Sequence, residues 1–122
     1  MPNPNPSLNG HIYHVDGNPA IYWIDGGLAR HIADEPTYHG VFGSSPHKET
    51  YDSLGDIAVG PDVAPGTVLI RADNWSEIYL LDQGTKRFIP SEAIKSKYKL
   101  NGNVHSVPPN AVSSIPDGPT FS

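Results

Sequence analysis

The chain has 122 residues, one domain's worth by length, with 13 Pro, 12 Gly, no Cys and a net charge of −5. These figures exclude coiled coils, disulfides, a thiolate metal site and a cysteine nucleophile, and no stretch approaches the ~20 apolar residues that a bilayer span needs. The charge is uneven: residues 1–62 carry eight acids and two bases, residues 63–122 five acids and six bases.

The N-terminus alternates Pro and Asn through Pro6 and lacks the basic and apolar regions of a signal peptide. Alternating Pro is a poor source of ladder donors, so residues 1–9 are expected to form an extended or disordered lead-in. From Gly10 the chain becomes strand-like. A strand over Gly10–Val15 is followed by turn residues, then by a hairpin of Ala20–Ile24 with Leu28–Ile32. The connection Asp25-Gly26-Gly27 fits a three-residue loop ending in a left-handed glycine. Asp34-Glu35-Pro36 signals a helix start, which Gly40 is expected to end early. Ser44 to Ser53 is polar and rich in turn formers, and reads as a loop.

The same order then recurs. Shifted by 57 residues, Asp16, Ile21, Tyr22, Asp25, Gly27, Arg30, Ile32 and Glu35 meet Asp73, Ile78, Tyr79, Asp82, Gly84, Arg87, Ile89 and Glu92. So many identities at one offset define a duplicated unit. The second copy predicts a strand over Thr67–Ala72, a hairpin of Glu77–Leu81 with Thr85–Ile89, and a helix over Ser91 to Tyr98, started by Ser91 as N-cap or bounded by Pro90. The tails also correspond, with Val59-Gly60-Pro61 set against Val107-Pro108-Pro109 and a one-turn helix near Asn110 to Ser114. Ile-Tyr-Trp-Ile and Ile-Tyr-Leu-Leu are apolar on both strand faces, which implies cover on both sides. A unit of this size is near the lower limit for a stable core. The expected fold is therefore mainly β (α+β): two pseudo-symmetric repeats, residues 10–66 and 67–122, each of three short strands plus a short helix, packed as one small domain.

The second unit resembles tandem repeats of secreted bacterial proteins associated with the cell wall. The resemblance is carried by Leu69-Ile70-Arg71, by Ile78 to Ser91 (Ile-Tyr-Leu-Leu-Asp-x-Gly-x-Lys-Arg-x-Ile-Pro-Ser) and by Ile115-Pro116-Asp117-Gly118-Pro119. It covers nearly all of Thr67–Phe121. The first unit fits less closely, since Ala33-Asp34 replaces the Pro-Ser step. The resemblance implies an accessory, binding or structural module outside the cell or on its surface, and implies no ligand or catalytic residue.

Ser44, Ser45, His47 and Asp52 are the letters of a hydrolase triad, but no nucleophile elbow surrounds them. The repeated acids Asp25/Asp82 and Glu35/Glu92 offer paired carboxylates, although Asp also caps its own turn and Glu supports a helix start. His11-x-x-His14-x-Asp16 has ligand-like spacing, but the two histidines point to opposite faces of a strand and do not recur in the second unit. No metal or other cofactor is expected. The candidate binding residues are Trp75, Arg87, Arg30, Trp23, Tyr79 and Tyr22, since aromatic faces beside planar hydrogen-bonding groups suit a sugar ring. Trp75 leads because it sits in the turn Asp73-Asn74-Trp75-Ser76, where a core role is not expected. For both arginines the competing reading is a fork onto Asp25 or Asp82 across the hairpin.

The expected function is a non-catalytic extracellular module that binds carbohydrate or cell-wall polymer. The alternatives are a structural or protein–protein assembly module, for which the charge asymmetry would support homo-oligomers, and a small hydrolase. No basic stripe exists to neutralise phosphates, so nucleic acid is not an expected partner, nor is membrane insertion.

Overall fold

The computed structural model describes residues 3–17, 19–43, 49–51 and 57–122. The first unit contains β1 (Ile12–Val15), β2 (Ile21–Asp25), β3 (Leu28–His31), α1 (Glu35–Phe42) and β4 (Glu49–Tyr51). The second contains β5 (Val68–Ala72), β6 (Ile78–Asp82), β7 (Thr85–Ile89), α2 (Glu92–Lys97), β8 (Val104–Val107) and α3 (Pro109–Ser113). The protein is mainly β, built as two sheets of order β3-β2-β1-β4 and β7-β6-β5-β8.

The duplication holds at the level of single pairs. Ile12 faces Trp23 and Trp23 faces Arg30 in the first sheet; Leu69 faces Leu80 and Leu80 faces Arg87 in the second. Each unit has a fourth strand beyond the three expected. After the helix, β4 and β8 return to pair in parallel with β1 and β5. Strand β4 is cut from the segment expected to be a loop. Three residues, Glu-Thr-Tyr, are too few to show a period, and only the waiting edge of β1 makes them a strand. Ser44, Ser45, His47 and Asp52 lie outside the described residues.

Both hairpin turns are tighter than expected. Asp25 pairs with Leu28, and Asp82 with Thr85, so each loop has two residues and not three. All four loop residues have positive φ: Gly26 at 62°, Gly27 at 78°, Gln83 at 53° and Gly84 at 79°. This primed geometry matches the twist of the flanking strands. Helix α1 also departs from expectation, running through Gly40 to Phe42. Asp34 caps it by accepting from the Thr37 N–H at 2.9 Å, and burial of Tyr38, Val41 and Phe42 outweighs the weak propensity of one glycine. Ser91 caps α2 in the same way, accepting from the Ile94 N–H at 3.2 Å.

The tails run along the free edges of β3 and β7. Gly60 donates to the Ala29 carbonyl at 3.0 Å and Val63 to His31 at 2.8 Å; Gly118 donates to Lys86 at 2.9 Å and Phe121 to Phe88 at 3.1 Å. The equivalent tail residues are thus Gly60-Pro61 and Gly118-Pro119, which corrects the expected match of Val59-Gly60-Pro61 to Val107-Pro108-Pro109. Steric demand fixes this register. A Cβ on Gly60 would lie 2.9 Å from the Leu28 Cβ, and one on Gly118 would lie 3.0 Å from the Thr85 Cβ.

The lead-in makes backbone contacts where it is described. Asn5 donates to the Gly27 carbonyl at 2.8 Å, Ala58 donates to Asn3 at 3.0 Å, and Pro6–Leu8 forms a 3-10 turn. The asparagines between the prolines keep the backbone groups that the prolines lack. Leu8 and Ile57 cover the outer face of the first sheet at Tyr13, Ile24 and Ala29.

The inner faces share one core. Ile12, Trp23, Ile32, Val41, Phe42 and Val63 of the first unit pack in one cluster with Leu69, Leu80, Ile89, Tyr98, Leu100 and Phe121 of the second. Neither unit encloses its own apolar face, so the two make a single small domain.

Candidate functional site

The repeated Arg and Asp residues meet where the two hairpins face each other. Arg30 forks onto the Asp of the other unit, with Nη1 2.9 Å from Asp82 Oδ2 and Nη2 2.8 Å from Asp82 Oδ1. Its Nη1 also reaches Asp25 in its own hairpin at 2.8 Å. Arg87 reciprocates, with Nη1 2.5 Å and Nη2 3.1 Å from the two oxygens of Asp25, and Nη1 3.2 Å from Asp82. The remaining Nε groups donate to the tails, Arg30 to the Pro61 carbonyl and Arg87 to the Pro119 carbonyl, both at 2.9 Å. The result is a charge-neutral tetrad in which all four residues are 8% exposed or less.

Burial works against the Asp82 carboxylate, but the hydrogen bonds and charge of Arg30, then those of Arg87, outweigh it and hold its pKa below the ordinary value. Burial likewise opposes the Arg30 cation, and its bonds to Asp82 and Asp25 more than offset this. A carboxylate with a depressed folded pKa stabilises the fold fully above its unfolded value of about 3.9. That contribution is lost as the pH falls through the lower folded value. The urea midpoint should therefore be flat above about pH 5 and should fall steeply from about pH 4 downwards. A midpoint unchanged at pH 3 would rule out this role for Asp82.

A depression of about 270 Å³ lies over the tetrad. Its ten lining residues form five equivalent pairs: Asp25/Asp82, Gly26/Gln83, Leu28/Thr85, Arg30/Arg87 and Pro61/Pro119. It marks the pseudo-twofold axis. Its polar floor is already internally bonded, so it offers a ligand few free groups.

Two clefts away from the axis are different. The first, of about 500 Å³, lies between the start of β2, the end of β3 and the first turn of α1, lined by Pro19–Ile21, His31–Glu35 and Tyr38. The second, of about 190 Å³, is lined by Ser76–Ile78, Phe88–Glu92 and Lys95. Every lining position of one is a lining position of the other at the offset of 57. Both have an isoleucine pair as floor (Ile21 and Ile32; Ile78 and Ile89) and a glutamate at the rim, Glu35 or Glu92. Around these the polar groups differ. The first cleft carries His31, Asp34 and Tyr38 where the second carries Phe88, Ser91 and Lys95.

The structure does not gather the six candidate residues into one site. Arg30 and Arg87 meet inside the tetrad, each forking onto the Asp of the other unit and making one Nη1 bond to the Asp of its own hairpin. Trp23 is 0% exposed, enclosed by Phe42, Tyr98 and Phe121, and its Nε1 donates to the Tyr98 carbonyl at 3.2 Å. A ring without an exposed face has nothing to present to a ligand. Tyr22 is half-buried, tilted against Tyr13 and His31. Tyr79 is half-buried against Phe88, with the Lys86 ammonium 5.9 Å from its ring centre. Trp75 is 41% exposed and directly precedes Ser76 of the second cleft.

Among the described residues no group of three His, Asp or Glu converges on a point that could hold a metal, and no helix is long and apolar enough to cross a membrane. Compared with known proteins, the chain matches no family model, no curated sequence and no solved structure. Sequence reasoning noted the repeated Glu35/Glu92 and Ile32/Ile89 without seeing that they enclose a cleft. Their identity at one offset was the available signal.

Proposed function

We propose that the protein is a non-catalytic binding module for a polymeric glycan of the cell surface, acting outside the cell. The observation that carries this reading is the pair of equivalent clefts. Each combines an apolar floor, which suits the C–H face of a sugar ring, with a carboxylate and other polar groups at the rim for its hydroxyls. Two like sites on one rigid body suit a repeating ligand, because the second contact is made at high effective concentration. Trp75 adds an exposed aromatic face beside the second cleft. The likeness of the second unit to repeats of secreted bacterial proteins points to the same setting. A non-catalytic role is supported by the tetrad, where each repeated Asp is held between two guanidiniums and is not free to move a proton.

The test is co-sedimentation of the full chain with insoluble cell-wall polysaccharide, with titration of short oligomers alongside. Affinity for the polymer should exceed that for a short oligomer by about a hundredfold. Ala20→Trp and Glu77→Trp, which fill the first and second clefts, should each reduce it to the single-site level. Trp75→Ala should weaken the second site about two- to tenfold. Failure of the chain to sediment, or undiminished retention of the doubly filled variant, would refute the proposal.

A further inference from the structure

The two clefts share a plan but not a charge, and the difference falls at their equivalent positions. Among the described residues, the walls of the first include two acids, Asp34 and Glu35, and no lysine or arginine. Asp34 is committed to capping α1, and its bond to Thr37 lowers its pKa, so it stays ionised. The Glu35 side chain is 81% exposed, with Oε1 3.6 Å from Nε2 of His39 one turn on. His31 is the other group at the rim able to carry positive charge. Tyr38 is 9% exposed, and burial raises its pKa, so it remains a neutral ring. In the second cleft the Tyr38 position is Lys95 and the Asp34 position is Ser91, and Glu77 and Glu92 also line it.

The wider field has the same sense. Residues 1–62 carry eight acids and two bases. One of those bases, Arg30, is consumed inside the tetrad. An apolar floor under a carboxylate rim in a net-negative half of the protein favours a ring that bears a positive charge. A lysine in the equivalent place disfavours one.

We infer that the first cleft selects an amine-bearing sugar unit, whose ammonium group is received by Glu35, while the second cleft accepts a neutral unit. This rests on the glycan-binding reading and sharpens it to a polymer containing free amino sugars. The preference is electrostatic, so it weakens as salt shortens the screening length.

The experiment is calorimetric titration of the full chain with two oligosaccharides of equal length, one of β-1,4-linked glucosamine and one of its N-acetylated form, at a pH where the free amine is charged. The amine oligomer should bind about tenfold more tightly. That advantage should shrink at high salt and vanish in Glu35→Gln, while Glu92→Gln retains it. Because the Glu35 side chain is largely exposed, Glu35→Gln should unfold at the same urea midpoint as the parent, which separates lost binding from lost folding. Equal affinity for the two oligomers, or a preference that survives Glu35→Gln, would overturn the inference and leave the glycan reading standing. Binding of neither oligomer would overturn the inference, and failure to sediment with the polymer as well would overturn the glycan reading.

Discussion

Arg87→Met should destabilise the protein by about 3–5 kcal/mol, the cost of breaking a buried ion pair from one side. Arg87 holds both oxygens of Asp25 and one of Asp82, in a place where both carboxylates are nearly sealed from solvent. With the guanidinium gone, two buried carboxylates share Arg30 alone. A domain of this size has about 5–15 kcal/mol in hand, so the loss approaches unfolding. Urea unfolding should show a lower midpoint with an unchanged slope. Replacing all four tetrad residues together with apolar ones of similar volume should be far milder, because no charge is then left unpaired. A loss below about 1 kcal/mol for Arg87→Met, the value of an exposed pair, would show that the cross-unit pairing is dispensable.

Trp23→Ala should cost about 3–5 kcal/mol, as large-to-small changes at buried aromatic sites do. Trp23 is a first-unit residue, yet two of its three ring neighbours, Tyr98 and Phe121, belong to the second unit, as does the carbonyl that receives its N–H. The damage should therefore spread through the whole domain and appear as one cooperative transition at lower denaturant. Trp23→Leu should be tolerated better, since Leu80 already fills the equivalent place in the second sheet. Fluorescence separates the two tryptophans. Removing buried Trp23 leaves exposed Trp75, so the native emission should shift to longer wavelength. A folded Trp23→Ala variant within 1 kcal/mol of the parent, the net value of about one hydrogen bond, would contradict the shared core.

Much of the local structure was legible because the signals were short-range. The hairpins of both units lie within a residue of their expected positions, set by runs such as Ile78–Leu81 and by the glycines that follow each Asp. The cap residues Asp34 and Ser91 begin their helices where a side-chain acceptor is followed by Glu. The two-residue hairpin turns were a local difference, but for the larger departures the deciding contact was distant in the chain. Strand β4 depends on β1, some 35 residues earlier. The tail register depends on the close approach of Gly60 and Gly118 to β3 and β7. Helix α1 passes Gly40 because its far end is anchored in a core made with the other unit.

The candidate site divides in the same way. That Arg30, Arg87, Asp25 and Asp82 matter together followed from their recurrence at one offset, and an arginine–aspartate fork within each hairpin was foreseeable. Each arginine embracing the opposite hairpin's aspartate was not, since it requires the two turns to meet. Trp23 and Trp75 look alike as letters, but one is sealed beneath Phe121 and the other stands free in a turn.

The order of residues by itself determined that this protein is a doubled β unit with tight turns, capped helices and matched Arg and Asp positions, because hydrophobic period, turn chemistry and repetition act over a few neighbours. Tertiary structure alone decided how the copies embrace. It crossed the ion pairs, merged two half-cores into one and opened paired clefts whose like apolar floors lie under unlike polar rims. Those outcomes depend on surfaces that exist only once both halves have folded against each other.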